Sequence, residues 1–437
     1  MTIHTVKQGD TIGSIAATYN VPSTRLEIDN NLSPNQSLNI GRAIMITYPK
    51  QTYIVQSGDT LGSIAEFFGV TIKQLLRNNP SLSERDTFSL NPGEELILSY
   101  DNKAKQIKVN GFANSFINID ILKRTLPFLT YITIINYRVA ADGSIIDIND
   151  TQIIQMSKAY GVAPIMFISS LDEHGIGNYA VTHNIFNNLE LQNKLIDYSL
   201  SLLKSKGFYG LFLGFQKILP EDLQQYVNFV TNITKRLNLE GYEVFVSLIP
   251  DTFGHKPGIP DENNSLSVNG QIANYVTLIT YQWTTAFISQ YAETTVSFIK
   301  EYLDFVITQI PPEKIFIGLE RIAYDWELPY VEGETLGRLI TNSGAIDLAS
   351  QLNAEIQFDV ETQTPYFYYN SLAGVQNFVW FKDARTVDAI LNLVIEYNLS
   401  GIAVWNIMYY YIVTWVVINT QYDIESVLTD SLNEIIE

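Results

Sequence analysis

Residues 5–16 read TVKQGDTIGSIA, and residues 54–65 repeat them as IVQSGDTLGSIA. In each copy a strand-like segment leads into a Gly-Asp-Thr turn and then an amphipathic segment. A short side-chain oxygen at such a turn caps the first-turn amides of a helix. Each copy therefore predicts a strand, two short helices and a closing strand. The sequence predicts two βααβ modules, at residues 1–49 and 50–100.

Eight short apolar runs follow, separated by amphipathic stretches. The runs are 107–112, 131–137, 163–169, 208–215, 242–249, 275–281, 314–319 and 399–405. Short apolar strands that alternate with helices indicate a parallel sheet covered on both faces, and eight of them are typical of a (β/α)8 barrel. The long gap before the last run predicts a small α+β insertion at about 335–380. The predicted fold class is α/β, a TIM-like (β/α)8 barrel at 101–437 preceded by the two βααβ modules.

Composition limits the partners. The formal net charge is −19, which argues against nucleic acid and anionic membranes as binding partners. With no cysteine and only four histidines, the sequence predicts no metal and no cofactor. The first residues carry no apolar signal-peptide core, and no apolar stretch is long enough to span a membrane. We therefore expect synthesis in the cytoplasm without a signal peptide.

Each βααβ repeat resembles the LysM module, which binds N-acetylglucosamine polymers such as peptidoglycan or chitin. The resemblance places the glycan groove between the strand–helix turn and the loop before the second strand. The implied glycan-binding residues are Gly9, Asp10, Thr11, Ile12, Asn30 and Asn31 in the first module, and Gly58, Asp59, Thr60, Leu61, Asn79 and Pro80 in the second. The alternative interpretation is that the Asp and Thr residues only cap helices and that the apolar residues are core.

The fourth apolar run lies within the stretch GFYGLFLGFQ at 207–216. It resembles the signature strand of family 18 glycoside hydrolases, whose acidic residues alternate along one face and end on a catalytic Glu. In that family the Glu protonates the glycosidic oxygen, and the Asp two positions earlier orients the substrate N-acetyl group. The matching positions here are Phe212, Gly214 and Gln216. A glutamine amide has no proton to donate, so the resemblance predicts the loss of the general acid.

The remaining strands extend the resemblance over nearly the whole chain. Strand six ends on Tyr281-Gln282-Trp283, where the family has an acidic residue at the position of Gln282. The retained aromatic residues Tyr281, Trp283 and Trp405 are expected to bind sugar in the barrel, or else to be core. Glu320 ends strand seven and could in principle supply an acid, but from the wrong strand for this family.

These residues predict a family 18 pseudo-enzyme of a bacterial spore or cell-wall layer. Its LysM repeats would bind N-acetylglucosamine polymers, and its barrel would act as a lectin or assembly surface on the spore coat or in an inclusion. One alternative is an active peptidoglycan N-acetylglucosaminidase of the spore cortex, which the architecture favours. Another is a self-assembling coat or crystalline-inclusion protein, because 26 Tyr and 22 Phe offer surface for self-association.

Overall fold

The computed structural model describes residues 1–34, 36–85, 87–101, 103–171, 177–215, 218–248, 265–280, 295–331 and 334–432. Two small modules precede a closed barrel. The first module contains β1 (Thr2–Thr5), α1 (Ile12–Tyr19), α2 (Ser23–Asp29) and β2 (Ala43–Ile46); the second contains β3 (Pro49–Ile54), α3 (Leu61–Phe68), α4 (Ile72–Asn78) and β4 (Glu95–Tyr100). In each module the two strands pair antiparallel.

The repeated Gly-Asp-Thr turns begin helices in the way the sequence predicts. Thr11 and Ser14 form a reciprocal capping box at the start of α1, and Thr60 and Ser63 form the same box at the start of α3. Each box satisfies two backbone donors that would otherwise have no partner at a helix N-terminus. The same local chemistry therefore builds the same helix twice.

Eight parallel strands close into a barrel, which confirms the predicted fold class. The strands of this sheet are β5 (Lys105–Asn114), β6 (Tyr131–Val139), the short antiparallel β7 (Ile145–Ile146), β8 (Ala163–Ser169), β9 (Gly210–Leu213), β10 (Glu243–Leu248), β11 (Tyr275–Leu278) and β12 (Ile315–Glu320). The eighth parallel strand, Gly401–Trp405, pairs with β12 on one side and β5 on the other. Pairing of β5 with β6 closes the ring.

An antiparallel sheet is inserted between β12 and the eighth barrel strand. It contains β13 (Ile322–Glu327), β14 (Arg338–Thr341), β15 (Gln357–Asp359), β16 (Thr364–Asn370) and β17 (Gln376–Trp380), in the order β14-β13-β17-β16-β15. The eighth barrel strand is therefore β18 (Gly401–Trp405), and β19 (Tyr422–Ile424) extends the sheet beside β5. The first insertion strand begins at Ile322, before the predicted start of about residue 335.

Helices cover the outside of the barrel and the insertion sheet. They are α5 (Ile119–Thr125), α6 (Thr151–Ala159), α7 (Tyr179–Phe186), α8 (Leu189–Lys206), α9 (Leu223–Leu239), α10 (Ser265–Ile272), α11 (Val296–Val306), α12 (Asn342–Gln351), α13 (Ala384–Glu396) and α14 (Ile412–Gln421). Short 3-10 turns lie at Pro80–Glu84, Leu126–Phe128, Pro220–Asp222 and Pro312–Lys314. In the described part of the chain, no helix is long and apolar enough to cross a membrane.

Both modules are docked by buried polar contacts. In the first, Asn39 Nδ2 donates to the carbonyl oxygens of Ala349 and Ala354 in the insertion, each at 3.0 Å. In the second, Lys73 Nζ donates to Leu129 O of the barrel at 3.0 Å. The apolar residues of the second module belong to the same buried cluster as the outer layer of the barrel. The modules and barrel are therefore packed against each other rather than strung on linkers.

Candidate functional site

Aromatic side chains fill the lumen of the barrel. Phe112, Phe167, Phe212, Phe245 and Phe316 come from five different strands and form one buried cluster. The rings of Phe167 and Phe212 stack with centroids 5.1 Å apart. Alternation along each strand places these residues on the inner face. The lumen below the mouth is thus a packed aromatic core.

The described end of strand four, at Phe212 and Gly214, places no polar side chain in the mouth. Phe212 is fully buried, and a Cβ placed on Gly214 would lie 2.0 Å from Phe167 Cζ. The Phe167 ring therefore occupies the volume that a carboxylate at position 214 would need. Neither position can orient an acetamide or donate a proton to a sugar.

Strands seven and eight bring a carboxylate and an indole to the mouth. Glu320 and Trp405 are register partners across β12 and β18, and alternation places Glu320 on the same face as the lumen residue Phe316. Glu320 Oε1 accepts a 2.7 Å hydrogen bond from Lys382 Nζ, and both side chains are buried. The Trp405 ring packs on Phe112, with centroids 5.3 Å apart. Among the described residues at the carboxyl ends of the eight strands, Glu320 is the one acid.

Lys382 was not anticipated from the sequence. It follows β17 of the insertion, and it reaches the barrel mouth from 62 positions away in the chain. Its Nζ lies 4.9 Å from the ring centroid of Trp380. A lysine directly after an apolar strand carries no signal that it is buried, so only the packing of the insertion on the barrel shows the pair.

Asp325 and Trp326, which follow the seventh strand, serve the insertion sheet. Asp325 accepts from Arg338 Nη2 at 2.6 Å, from Tyr369 OH at 2.9 Å and from Asn377 Nδ2 at 3.0 Å. Trp326 is buried in the aromatic cluster on this sheet. The carboxylate of Asp325 is therefore fully engaged in holding the insertion together.

Several predicted barrel residues lie outside the described residues. They are Gln216, Tyr281, Gln282 and Trp283. Of the predicted barrel positions, the described ones are Phe212, Gly214 and Trp405. No group of three or more His, Cys, Asp or Glu side chains suited to a metal occurs among the described residues.

The predicted LysM residues divide into framework and surface. Asn30 Nδ2 donates to Leu26 O and Met45 O, and Asn79 Nδ2 makes the equivalent bonds to Leu75 O and Ile97 O. Both amides thereby tie the second helix of a module to its closing strand. Thr11 and Thr60 cap helices, whereas Ile12, Leu61 and Pro80 are buried.

The turn aspartates are also engaged within their own modules. Asp10 Oδ2 accepts from Lys7 N at 2.7 Å and is bonded to His4, and Asp59 Oδ2 accepts from Gln56 N at 2.7 Å and from Tyr53 OH at 2.8 Å. Gly9, Asn31 and Gly58 are exposed. A glycan in these grooves would therefore meet mainly backbone groups and the exposed turn residues.

The fold defines a (β/α)8 barrel protein with two appended βααβ modules. A family model for glycosyl hydrolases family 18 matches residues 172–409, and the LysM domain model matches residues 4–47 and 53–99. The chain belongs to glycosyl hydrolases family 18 and carries two LysM domains. These families support a peptidoglycan or chitin-like glycan as the partner.

Relatives match along nearly the whole chain. The chain is 29% identical over 413 residues to the cortical fragment-lytic enzyme of Bacillus anthracis, covering 93% of this chain and 94% of that protein. It is 27% identical to the cortical fragment-lytic enzyme of Bacillus subtilis (strain 168), covering 97% and 99%. The crystal structure of the spore cortex-lytic enzyme SleL of Bacillus cereus superposes with a TM-score of 0.79 at 27% identity, covering 97% and 99%.

These comparisons contradict the prediction of a non-catalytic protein. Several relatives that match nearly the whole chain are named as lytic enzymes, and the pseudo-enzyme interpretation is wrong. The comparisons support neither a structural nor a self-assembling role. The prediction judged catalysis mainly from strands four and six, whereas a barrel mouth collects side chains from all eight strands. Glu320 on strand seven brings a carboxylate to that mouth.

Proposed function

We propose that the chain is a spore-associated hydrolase of cortex peptidoglycan that cleaves its N-acetylglucosaminyl bonds. The observation that carries this proposal is the match to cortical fragment-lytic enzymes over nearly their whole length, which spans the two LysM modules and the barrel of this chain. A shared barrel alone would not support a substrate, since one fold hosts many activities. The shared modules add a reason to expect a polymeric glycan.

The modules are rigidly placed for this task. Both modules are packed on the barrel or its insertion. A glycan chain bound to the modules would therefore be held near the barrel mouth. Such positioning raises the effective concentration of the polymer at the site. Self-association of the chain stays a prediction.

Strand four supplies no carboxylate, so proton transfer requires another group. We assign it to the Glu320–Lys382 pair, which lies beside Trp405 at the mouth. Lys382 Nζ donates a hydrogen bond of 2.7 Å to Glu320 Oε1, and both side chains are buried. For this pair to deliver a proton to the leaving oxygen and take one back from water, substrate binding must open the mouth, because both side chains are buried here. The substrate N-acetyl group would act as the nucleophile, as in substrate-assisted family 18 chemistry.

The test is digestion of purified cortical fragments by the full chain. We expect soluble products with N-acetylglucosamine at the new reducing ends, identified by mass spectrometry after borohydride reduction. The Bacillus subtilis cortical fragment-lytic enzyme serves as the positive control. Intact fragments after prolonged incubation, with the control active, would contradict the proposal.

A further inference from the structure

The second barrel strand, β6, carries a bulge where it reaches the mouth. Ile134 of β6 pairs with Met166 of β8. Tyr137 then pairs with Ile168, so three steps along β6 match two steps along β8. One extra residue is therefore inserted in β6 at this point. Bulges are common beside active sites, where they redirect a side chain. The side chain that is redirected here is that of Asn136.

Asn136 belongs to the mouth and not to the outer layer of the barrel. Ile134 and Tyr137, on either side of the bulge, both belong to the buried cluster of the outer layer, whereas Ile135 belongs to the lumen cluster. Asn136 itself is exposed and has a φ of +88°. A positive φ is uncommon for residues other than glycine, and such residues cluster at functional sites. The fold therefore keeps an uncommon backbone conformation beside the mouth.

Asn114, at the end of β5, faces the same space. It lies two residues after Phe112, whose ring is in the lumen, so the alternation along the strand turns Asn114 inward as well. Asn136 Nδ2 donates to Asn114 Oδ1. Among the described residues, no other hydrogen bond engages either side-chain amide. One N–H and the carbonyl oxygen of Asn136, and the amino group of Asn114, are therefore available to a ligand.

The two strands do not need this amide pair to stay together. Backbone pairing of β5 with β6 continues up to Asn114, which is opposite Ile135. Deeper in the barrel, Thr133 Oγ1 donates to Asn110 Oδ1 at 2.9 Å, and both residues are buried. That buried bond already links the side chains of the two strands. The exposed amide pair above it can therefore serve a ligand rather than the fold.

The amide pair and Glu320 lie on opposite sides of Trp405. The strand that ends on Trp405, β18, lies between β12 and β5, and β6 follows β5. Phe112 packs on Trp405 with ring centroids 5.3 Å apart. Asn114 is two residues further toward the mouth, about 7 Å along the strand. A sugar ring lying on the Trp405 indole would therefore have Glu320 on one side and the amide pair on the other.

We propose that Asn136 and Asn114 form the site that recognises the acetamido group of an N-acetylated sugar bound at Trp405. The proposal rests on the proposed function for the identity of the glycan. An acetamido group has one N–H donor and one carbonyl acceptor, and a side-chain amide offers the complementary acceptor and donor. Strand four cannot orient this group, because the Phe167 ring fills the space beside Gly214. The amide pair supplies this recognition from strands one and two instead.

The test is titration of the full chain with N-acetylglucosamine and with glucose, followed by tryptophan fluorescence. All five tryptophans lie between residues 283 and 415, so the signal does not arise in the two modules. The two sugars differ in the acetamido group, which replaces a hydroxyl of glucose, and neither contains a glycosidic bond. We expect N-acetylglucosamine to bind about tenfold more tightly, as one or two hydrogen bonds allow.

Asn136→Gly removes the side chain and keeps the backbone conformation, because glycine readily adopts a positive φ. We expect this variant to bind N-acetylglucosamine about tenfold more weakly, with unchanged affinity for glucose and no fall in the midpoint of urea unfolding. The matched control is Asn353→Gly in the insertion, since Asn353 is also exposed and has a φ of +49°. This control should keep the wild-type affinity for both sugars.

Equal affinity of the wild-type chain for the two sugars would overturn the proposal, and this measurement needs no variant. A folded Asn136→Gly chain that keeps the full preference for N-acetylglucosamine would also overturn it. Cleavage of cortical fragments is measured separately. A chain that digests the fragments but binds both sugars equally contradicts this site alone. A chain that prefers N-acetylglucosamine but leaves the fragments intact contradicts the proposed function alone.

Discussion

Lys382 Nζ donates a 2.7 Å hydrogen bond to Glu320 Oε1, and the two side chains are only 3% and 1% exposed. One residue ends a barrel strand and the other follows the last strand of the insertion. The pair therefore joins the two parts of the fold where the Trp405 indole faces the mouth. Any change to either residue affects both the chemistry at the mouth and the attachment of the insertion.

Glu320→Gln should abolish most of the turnover. We expect kcat on cortical fragments to fall about 10²–10⁴-fold with little change in KM, because the carboxylate takes part in proton transfer. The variant leaves the Lys382 ammonium buried without a counter-charge, which should cost about 3–5 kcal/mol in the free energy of unfolding. Steady-state kinetics and urea unfolding measure the two effects separately.

The double variant Glu320→Gln with Lys382→Met is the matched control. Removing both charges should restore most of the lost stability, since an apolar replacement of a buried pair is often nearly neutral. It should not restore turnover. If the double variant digests fragments at the wild-type rate, the pair is structural and the acid lies elsewhere.

Gly214→Ala should destabilise the barrel. The added Cβ would meet the Phe167 ring at 2.0 Å, and overpacking of this kind costs about 1–3 kcal/mol. Gly62→Ala is a suitable control, because that Cβ has ordinary contact only, 3.7 Å from Thr60 Oγ1, and lies in a helix. The midpoint of urea unfolding should fall in Gly214→Ala and rise in Gly62→Ala. Equal midpoints would show that the Phe167 ring moves aside without lowering the free energy of unfolding.

The barrel could be predicted because its strands are local apolar runs. The run at 163–169 coincides with β8, whereas the predicted 208–215 shortens to β9 because only Gly210–Leu213 finds partners on both sides. Which side chain fills the space beside Gly214 depends on packing between strands. The approach of Lys382 to Glu320 likewise depends on how the insertion folds back. Sequence patterns predict neither of these contacts between distant segments. The residues of the site were therefore harder to predict than the fold.

Gly41→Ala should release the first module from the insertion. Gly41 has a φ of +83°, and a Cβ there would lie 1.6 Å from Ile356 O. Gly93 occupies the same place in the second module with a φ of +88° and open space around it. Gly93→Ala should therefore cost only the left-handed backbone, about 1–2 kcal/mol. Hydrogen exchange at the Ile356 amide, which donates to Ile40 O, should accelerate in Gly41→Ala alone. Equal protection of this amide in both variants would contradict docking of the first module on the insertion at Gly41.

Lys73 should make stability depend on pH. Burial lowers the pKa of this lysine to about 7, so between pH 7 and 10 the unfolded chain holds the proton more tightly than the folded one. The free energy of unfolding should therefore rise with pH through this window, by at most about 1.4 kcal/mol per unit. Urea unfolding at pH 6.5, 7.5 and 8.5 should show this slope, and Lys73→Met should flatten it. If the free energy of unfolding has the same pH dependence in the wild-type chain and in Lys73→Met, then Lys73 does not cause the slope.

Digestion of cortical fragments in water enriched with oxygen-18 shows which glycosidic bond the chain hydrolyses and whether Glu320 is needed. Hydrolysis places a solvent oxygen on the anomeric carbon of the released sugar. The wild-type chain should release products whose reducing-end N-acetylglucosamine carries one heavy oxygen, and Glu320→Gln should not. Fragments that stay intact with the wild-type chain, or heavy oxygen found on the muramic acid residue instead, would contradict this prediction.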